Sequence, residues 1–281
     1  VLAEVVLLVL STVTALAAWP EDPTLSGLTE HEGIVVVDND LLSNTYRDLV
    51  MEIGTGIATQ PMPSATTGIY GFEIALSSSV LFTEGKLRDE RITPWDRAVA
   101  DENASPALAM PTLAVRKGLP ASGEIGAQFG WVAGSGTGMG SIYGRLAVIE
   151  NYKPLPDVTL RLGYSGYIGN DELDVSVFEA GVTVGSRFGI GTGGMNNGRF
   201  EPFASFDLLR VSARPTVDPE LVGQVGAVTF QNNAQNASLP LAVPRVGAGF
   251  QITSGVIHFR VAGSWSWLTL PMANVGMGVT L

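Results

Sequence analysis

From residue 67 to the C-terminus, apolar and polar side chains alternate with period two, the period of a strand whose two faces meet different surroundings. Ten segments carry the pattern: 67–82, 111–118, 122–133, 139–150, 157–168, 173–187, 199–212, 243–253, 255–268 and 273–281. In the third, Ile125, Ala127, Phe129 and Trp131 alternate with Glu124, Gly126, Gln128 and Gly130. In the ninth, Ile257, Phe259, Val261 and Trp265 alternate with His258, Arg260, Ser264 and Ser266. In the seventh, Phe200, Ala204, Phe206 and Leu208 oppose Glu201, Ser205 and Asp207, with Phe203 interrupting the polar face.

Ahead of these segments the pattern differs. Residues 18–38 are irregular apart from the apolar run 34–37. After it, Leu42, Tyr46, Leu49, Val50 and Ile53 share one helical face, with Asp40 placed to cap. Gly54 and Gly56 weaken this short helix, and Pro61 and Pro63 end it. Residues 1–17 are apolar and finish on Ala15-Leu16-Ala17, so they read as a secretory signal peptide. Residues 18–66 then read as an N-terminal periplasmic segment, and 67–281 as the strand domain.

Period-two alternation serves either a soluble sandwich, apolar inside, or a membrane barrel, apolar outside. Composition favours the barrel. Glycine is 34 of 281 residues and charged residues are only 15%, while the hydrophobic fraction is an ordinary 46%. The polar faces are rich in Gly and nearly free of Lys, as a narrow interior requires. Gap lengths agree. The long gaps, 83–110 and 213–242, are the first and seventh, so in an antiparallel barrel both fall at one end, whereas the even gaps are tighter. Outer-membrane barrels pair long outside loops with short periplasmic turns. After the apolar N-terminus no stretch has 18 consecutive apolar residues, which argues against a helical span. The expected fold is all-β: a closed antiparallel transmembrane β-barrel of about ten strands, strand ten pairing strand one, with a short N-terminal helical segment.

The chain ends Asn274-Val275-Gly276-Met277-Gly278-Val279-Thr280-Leu281. This resembles the C-terminal assembly signal of Gram-negative outer-membrane β-barrel proteins, with Leu281 in place of the usual terminal aromatic. The resemblance covers about residues 67–281 and implies the cell outer membrane as location. It also implies outer-membrane lipid and the barrel-assembly machinery as partners.

Candidate chemistry is sparse. There is no cysteine, and a net charge of −11 excludes nucleic acid as a natural partner. Gly189-Ile190-Gly191-Thr192-Gly193-Gly194 has the spacing of a dinucleotide fingerprint, but a strand follows instead of the required helix, so it reads as a turn. Only His31 and His258 occur, too few for a His-pair metal site. No metal, no cofactor and no enzymatic activity are expected. The remaining signal is a set of inward-facing charges: Glu73, Glu124, Glu179, Glu201 and Asp207 against Arg116, Arg145, Arg161, Arg245 and Arg260, with His258 beside them. Each Arg is expected to reach one of these acids, plugging the lumen and leaving a structural or surface-interaction role. The alternatives are a narrow channel for a small solute in the lumen and, more remotely, an outer-membrane hydrolase using His258 as base.

Overall fold

A computed structural model describes residues 22–25, 30–31, 34–35, 39–82, 94–99, 107–150, 152, 155–190, 198–216, 242–266 and 269–281. The expected signal peptide, 1–17, lies outside these. A two-residue ribbon pairs Glu30–His31 with Ile34–Val35. Helix α1 spans Asn39–Ile57 and helix α2 spans Pro94–Ala98. Asp40 therefore stands in the first turn of α1 and is not its cap.

Ten long strands follow the alternating segments: β1 Phe72–Phe82, β2 Ala107–Leu119, β3 Gly123–Trp131, β4 Gly138–Ile149, β5 Asp157–Ile168, β6 Leu173–Gly185, β7 Gly198–Pro215, β8 Val243–Ser254, β9 Ile257–Ser266 and β10 Thr269–Thr280. A three-residue strand, Phe188–Ile190, prolongs the β6–β7 hairpin. All neighbours pair antiparallel, and β10 returns to β1 from Met272↔Leu81 to Thr280↔Glu73. The last residue completes the seam, since the Leu281 and Phe72 backbones exchange hydrogen bonds of 2.7 and 3.0 Å. Among the described residues the ten long strands close on themselves and leave no free edge, as a membrane-spanning sheet requires.

The barrel is apolar outside. Ile74, Leu76, Ile125, Leu162, Phe259 and Met277 all point outward and are exposed. Aromatic side chains mark both rims, with Phe82, Trp131 and Trp265 at one and Tyr70 and Tyr152 at the other. No described helix is long and apolar enough to cross a membrane; this chain crosses by strands, each 9 residues or longer, against a need of about 9–11. Connections β2–β3, β4–β5, β6–β7 and β8–β9 share one end with Phe72 and Leu281, called here the turn end. The β1–β2 and β7–β8 connections both leave from the other, the loop end; of their residues, 83–93, 100–106 and 217–241 lie outside the described set.

The sequence pattern sets residues 18–66 apart from the barrel as a periplasmic segment. The coordinates correct this: Thr45–Ala65 are inside it. The second half of α1 packs against inward-facing apolar residues of the loop-end half, among them Leu81, Met110, Val175, Val177, Leu209 and Val211. Residues 58–66 then run extended through the turn-end half. The physical reason is mutual: α1 has an apolar face to bury, and the barrel has an inward apolar ring at the same level. Tyr46, Leu49, Val50 and Ile53 are buried as their helical spacing implies; the Leu42 side chain lies outside the described set. Of the two helix glycines, both poor for helix propensity, Gly54 serves close approach. A Cβ at Gly54 would sit 2.6 Å from Val211 Cγ1.

Candidate functional site: a charged lumen clamped on its own chain

All eleven residues singled out from the sequence, Glu73, Arg116, Glu124, Arg145, Arg161, Glu179, Glu201, Asp207, Arg245, His258 and Arg260, are buried on the inner face. Strand register explains how they meet. One continuous row of directly opposed partners runs Glu124↔Arg145↔Arg161↔Gly181↔Asp207↔Arg245, crossing six strands from β3 to β8. Glu73↔Arg116 joins β1 to β2 beside it. Long side chains fit because glycines face them: Glu179 leans over Gly163 and Asp207 over Gly181.

Two clusters result. In the first, Arg116 bonds Glu73 and lies 3.5 Å from Glu124, which takes a 2.8 Å bond from Arg145. In the second, Asp207 is shared by Arg161 at 2.8 Å and Arg245 at 3.1 Å, with Glu179 at 3.5 and 3.6 Å from the same two arginines. His258 Nε2 stands 3.5 Å from Glu73 Oε1, and its Nδ1 lies 3.5 Å from Thr280 Oγ1.

Two expected pairings do not form. Arg260 has no ion-pair partner among the described residues, because its register neighbours are Gln251 and Gly276. Glu201 reaches none of the five arginines; opposed by Gln251, it meets the half-exposed Arg199 of its own strand at 3.6 Å.

The arginines do more than neutralise acids: they also grip main-chain oxygens of the threaded segment. Arg245 Nη2 donates to the Thr59 carbonyl at 2.7 Å and Arg161 Nη1 to the Gln60 carbonyl at 2.9 Å. Arg145 donates to the Pro63 carbonyl and the Thr159 hydroxyl to the Ser64 carbonyl. Lower down, Thr66 N donates to Glu150 and Thr67 N to Glu124, both at 3.0 Å. Those made by an Arg or Glu side chain are charge-assisted, the strong kind. They also resolve an apparent conflict, Arg145 directly opposite Arg161. The two guanidiniums diverge, one to Glu124 and Pro63, the other to Asp207 and Gln60. Two more lumen glycines make room, for a Cβ at Gly247 would lie 2.7 Å from Pro61 Cγ, and one at Gly185 would lie 2.5 Å from Ser64 Oγ. The grip on residues 58–66 was missed in the sequence, where Pro61 and Pro63 read only as helix terminators. The available signal was a neutral, buried-type stretch, 57–65, placed before strands whose inward faces carry both charge and apolar residues.

With apolar outside, charge inside and no sheet edge, the molecule has one environment that suits it. It is a small barrel that resembles outer-membrane barrel folds. No family model and no curated protein matches the chain. Among solved structures it is similar to the KdgM porin, at 5% identity over 74% of this chain and 98% of that one, TM-score 0.32. It is similar to LpxR from Salmonella typhimurium, at 10% identity over 75% and 99%, TM-score 0.33. It is also similar to the transport unit of the autotransporter AIDA-I from Escherichia coli, at 6% identity over 85% and 97%, TM-score 0.35. The barrel's own inverted polarity, apolar outward and charged inward, suits an outer-membrane location with lipid around it.

Proposed function

We propose that this barrel is a self-plugged outer-membrane protein with a structural or surface-interaction role and no enzymatic one. The observation that carries the reading is the occupancy of the lumen by the chain's own residues 45–66, held by Arg145, Arg161 and Arg245. An isolated buried charge costs several kcal/mol per ion, so a paired and carbonyl-capped lining favours a closed state. The non-enzymatic reading is supported by the burial of His258, which is 1% exposed and stands 3.5 Å from both Glu73 and Thr280. The C-terminal strand, ending at the seam, is the expected contact for the barrel-assembly machinery.

Planar-bilayer conductance of the purified protein beside Arg161→Ala tests this. The wild type is expected to show no steady current, and the variant intermittent openings. A large, steady wild-type conductance unchanged by the substitution would establish the narrow-channel alternative instead.

A further inference from the structure

The hydrogen bonds at either end fix the direction in which the chain is threaded. At the loop end, Gly136 N donates to Asp22 at 2.8 Å, Asn170 to the Pro23 carbonyl at 2.8 Å, and Leu25 N to Glu172 at 2.5 Å. Gly136 belongs to the β3–β4 connection and Asn170 and Glu172 to the β5–β6 connection. Pro23 also bridges Val99, just past α2 in the β1–β2 connection. Thus residues 22–25 are stitched to three loop-end connections. At the turn end, Thr66 is held by Glu150 of the β4–β5 connection, and Gly118 N at the end of β2 donates to the Gly71 carbonyl at 3.0 Å. Length permits a full crossing: about 20 Å of helix from residue 45 to 57 and up to about 30 Å of extended chain exceed a hydrocarbon core of about 30 Å.

We infer that the chain crosses the membrane an eleventh time, through its own lumen, so that residues 22–25 are held on the loop face, opposite Leu281. The barrel then presents residues 22–25 outside the cell, docked on its loops. Beyond the lumen reading, this rests on the long-loop end facing outward. The segment expected to be periplasmic from the sequence becomes the exposed one.

The absence of native cysteine makes the test direct. Single cysteines replace Asp48, whose side chain is 52% exposed on α1 at the loop-end mouth, Ala133 in the β3–β4 connection, and Tyr70 at the turn end. Each full-length variant is treated with a membrane-impermeant maleimide on intact and on permeabilised cells. The inference expects Asp48→Cys and Ala133→Cys to label fully on intact cells and Tyr70→Cys only after permeabilisation. Labelling of Ala133→Cys but not Asp48→Cys on intact cells would overturn the threading while leaving the barrel's orientation standing. Labelling of Tyr70→Cys alone on intact cells would overturn the orientation, and with it the outward placement of residues 22–25.

Discussion

The two halves of the lumen are closed in different ways. The loop-end half is filled by a helix, α1, whose apolar residues pack on inward Leu, Met and Val side chains. The turn-end half is filled by an extended strand of backbone whose carbonyls take hydrogen bonds from buried arginines. In the first, burial itself is favourable, at about 1.5–3 kcal/mol for each large aliphatic side chain removed from water. In the second, burial of charge is unfavourable, and only the pairing and the carbonyl bonds offset it. A helix hides its own carbonyls and suits an apolar ring; an extended segment offers them and suits a ring of donors. The break in secondary structure at Ile57 thus coincides with the change in wall chemistry.

The comparison fails first if the charged half is not critical. Asp207 serves two arginines, both buried, so Asp207→Ala leaves Arg161 and Arg245 to share Glu179. The expected loss is about 3–5 kcal/mol of stability, the cost of breaking a buried pair, read as a lowered urea midpoint in detergent, together with openings in a bilayer. A midpoint equal to wild type would mean that the carbonyl bonds alone hold the threaded segment.

In the apolar half the effect is smaller and of another kind. Leu49 is fully buried in the helix–wall core, and Leu49→Ala is expected to cost about 2–3 kcal/mol through the cavity it leaves. Currents should stay closed, because the Arg clamp lies below. If Leu49→Ala conducts as readily as Asp207→Ala, the two halves close the lumen as one unit. Overpacking the same half is a parallel case: Gly54→Val pushes α1 away from Val211 and is expected to cost about 1–3 kcal/mol, with currents that stay closed as in Leu49→Ala.

The two halves were unequally legible in the sequence. Strand positions and faces were plain, since a period of two survives in any barrel. The charges were plain as inward residues, and the Glu73–Arg116 and Asp207–Arg245 contacts follow from register. Arg260 was not: whether a charge finds a partner depends on which residue stands opposite, and alternation does not give register. The plug was hidden for a related reason. Leu173, Val175, Val177, Leu209 and Val211 sit on the polar parity of β6 and β7, but only the stagger between strands puts them at one level as a ring. Strand β2 begins four residues earlier than its alternation indicated, and those residues include the ring members Leu108 and Met110.

The smallest effect serves as the control for the whole comparison. The β2–β3 turn closes with Gly123 N donating to the Pro120 carbonyl at 3.3 Å. Both its central residues take left-handed backbone angles, Ala121 with φ 58° and Ser122 with φ 55°, as a type I′ hairpin requires and as Asn or Gly would do at lower cost. Ser122→Gly relieves that strain, while glycine's larger unfolded-state entropy cancels part of the gain. The expected outcome is a stabilisation of up to about 1 kcal/mol, seen as a slightly raised urea midpoint. The turn touches neither α1 nor the Arg clamp, so conductance should stay closed. If Ser122→Gly raises the midpoint and also restores closure to Asp207→Ala, then global barrel stability governs the lumen. If it raises the midpoint alone, closure belongs to the local contacts of the two halves.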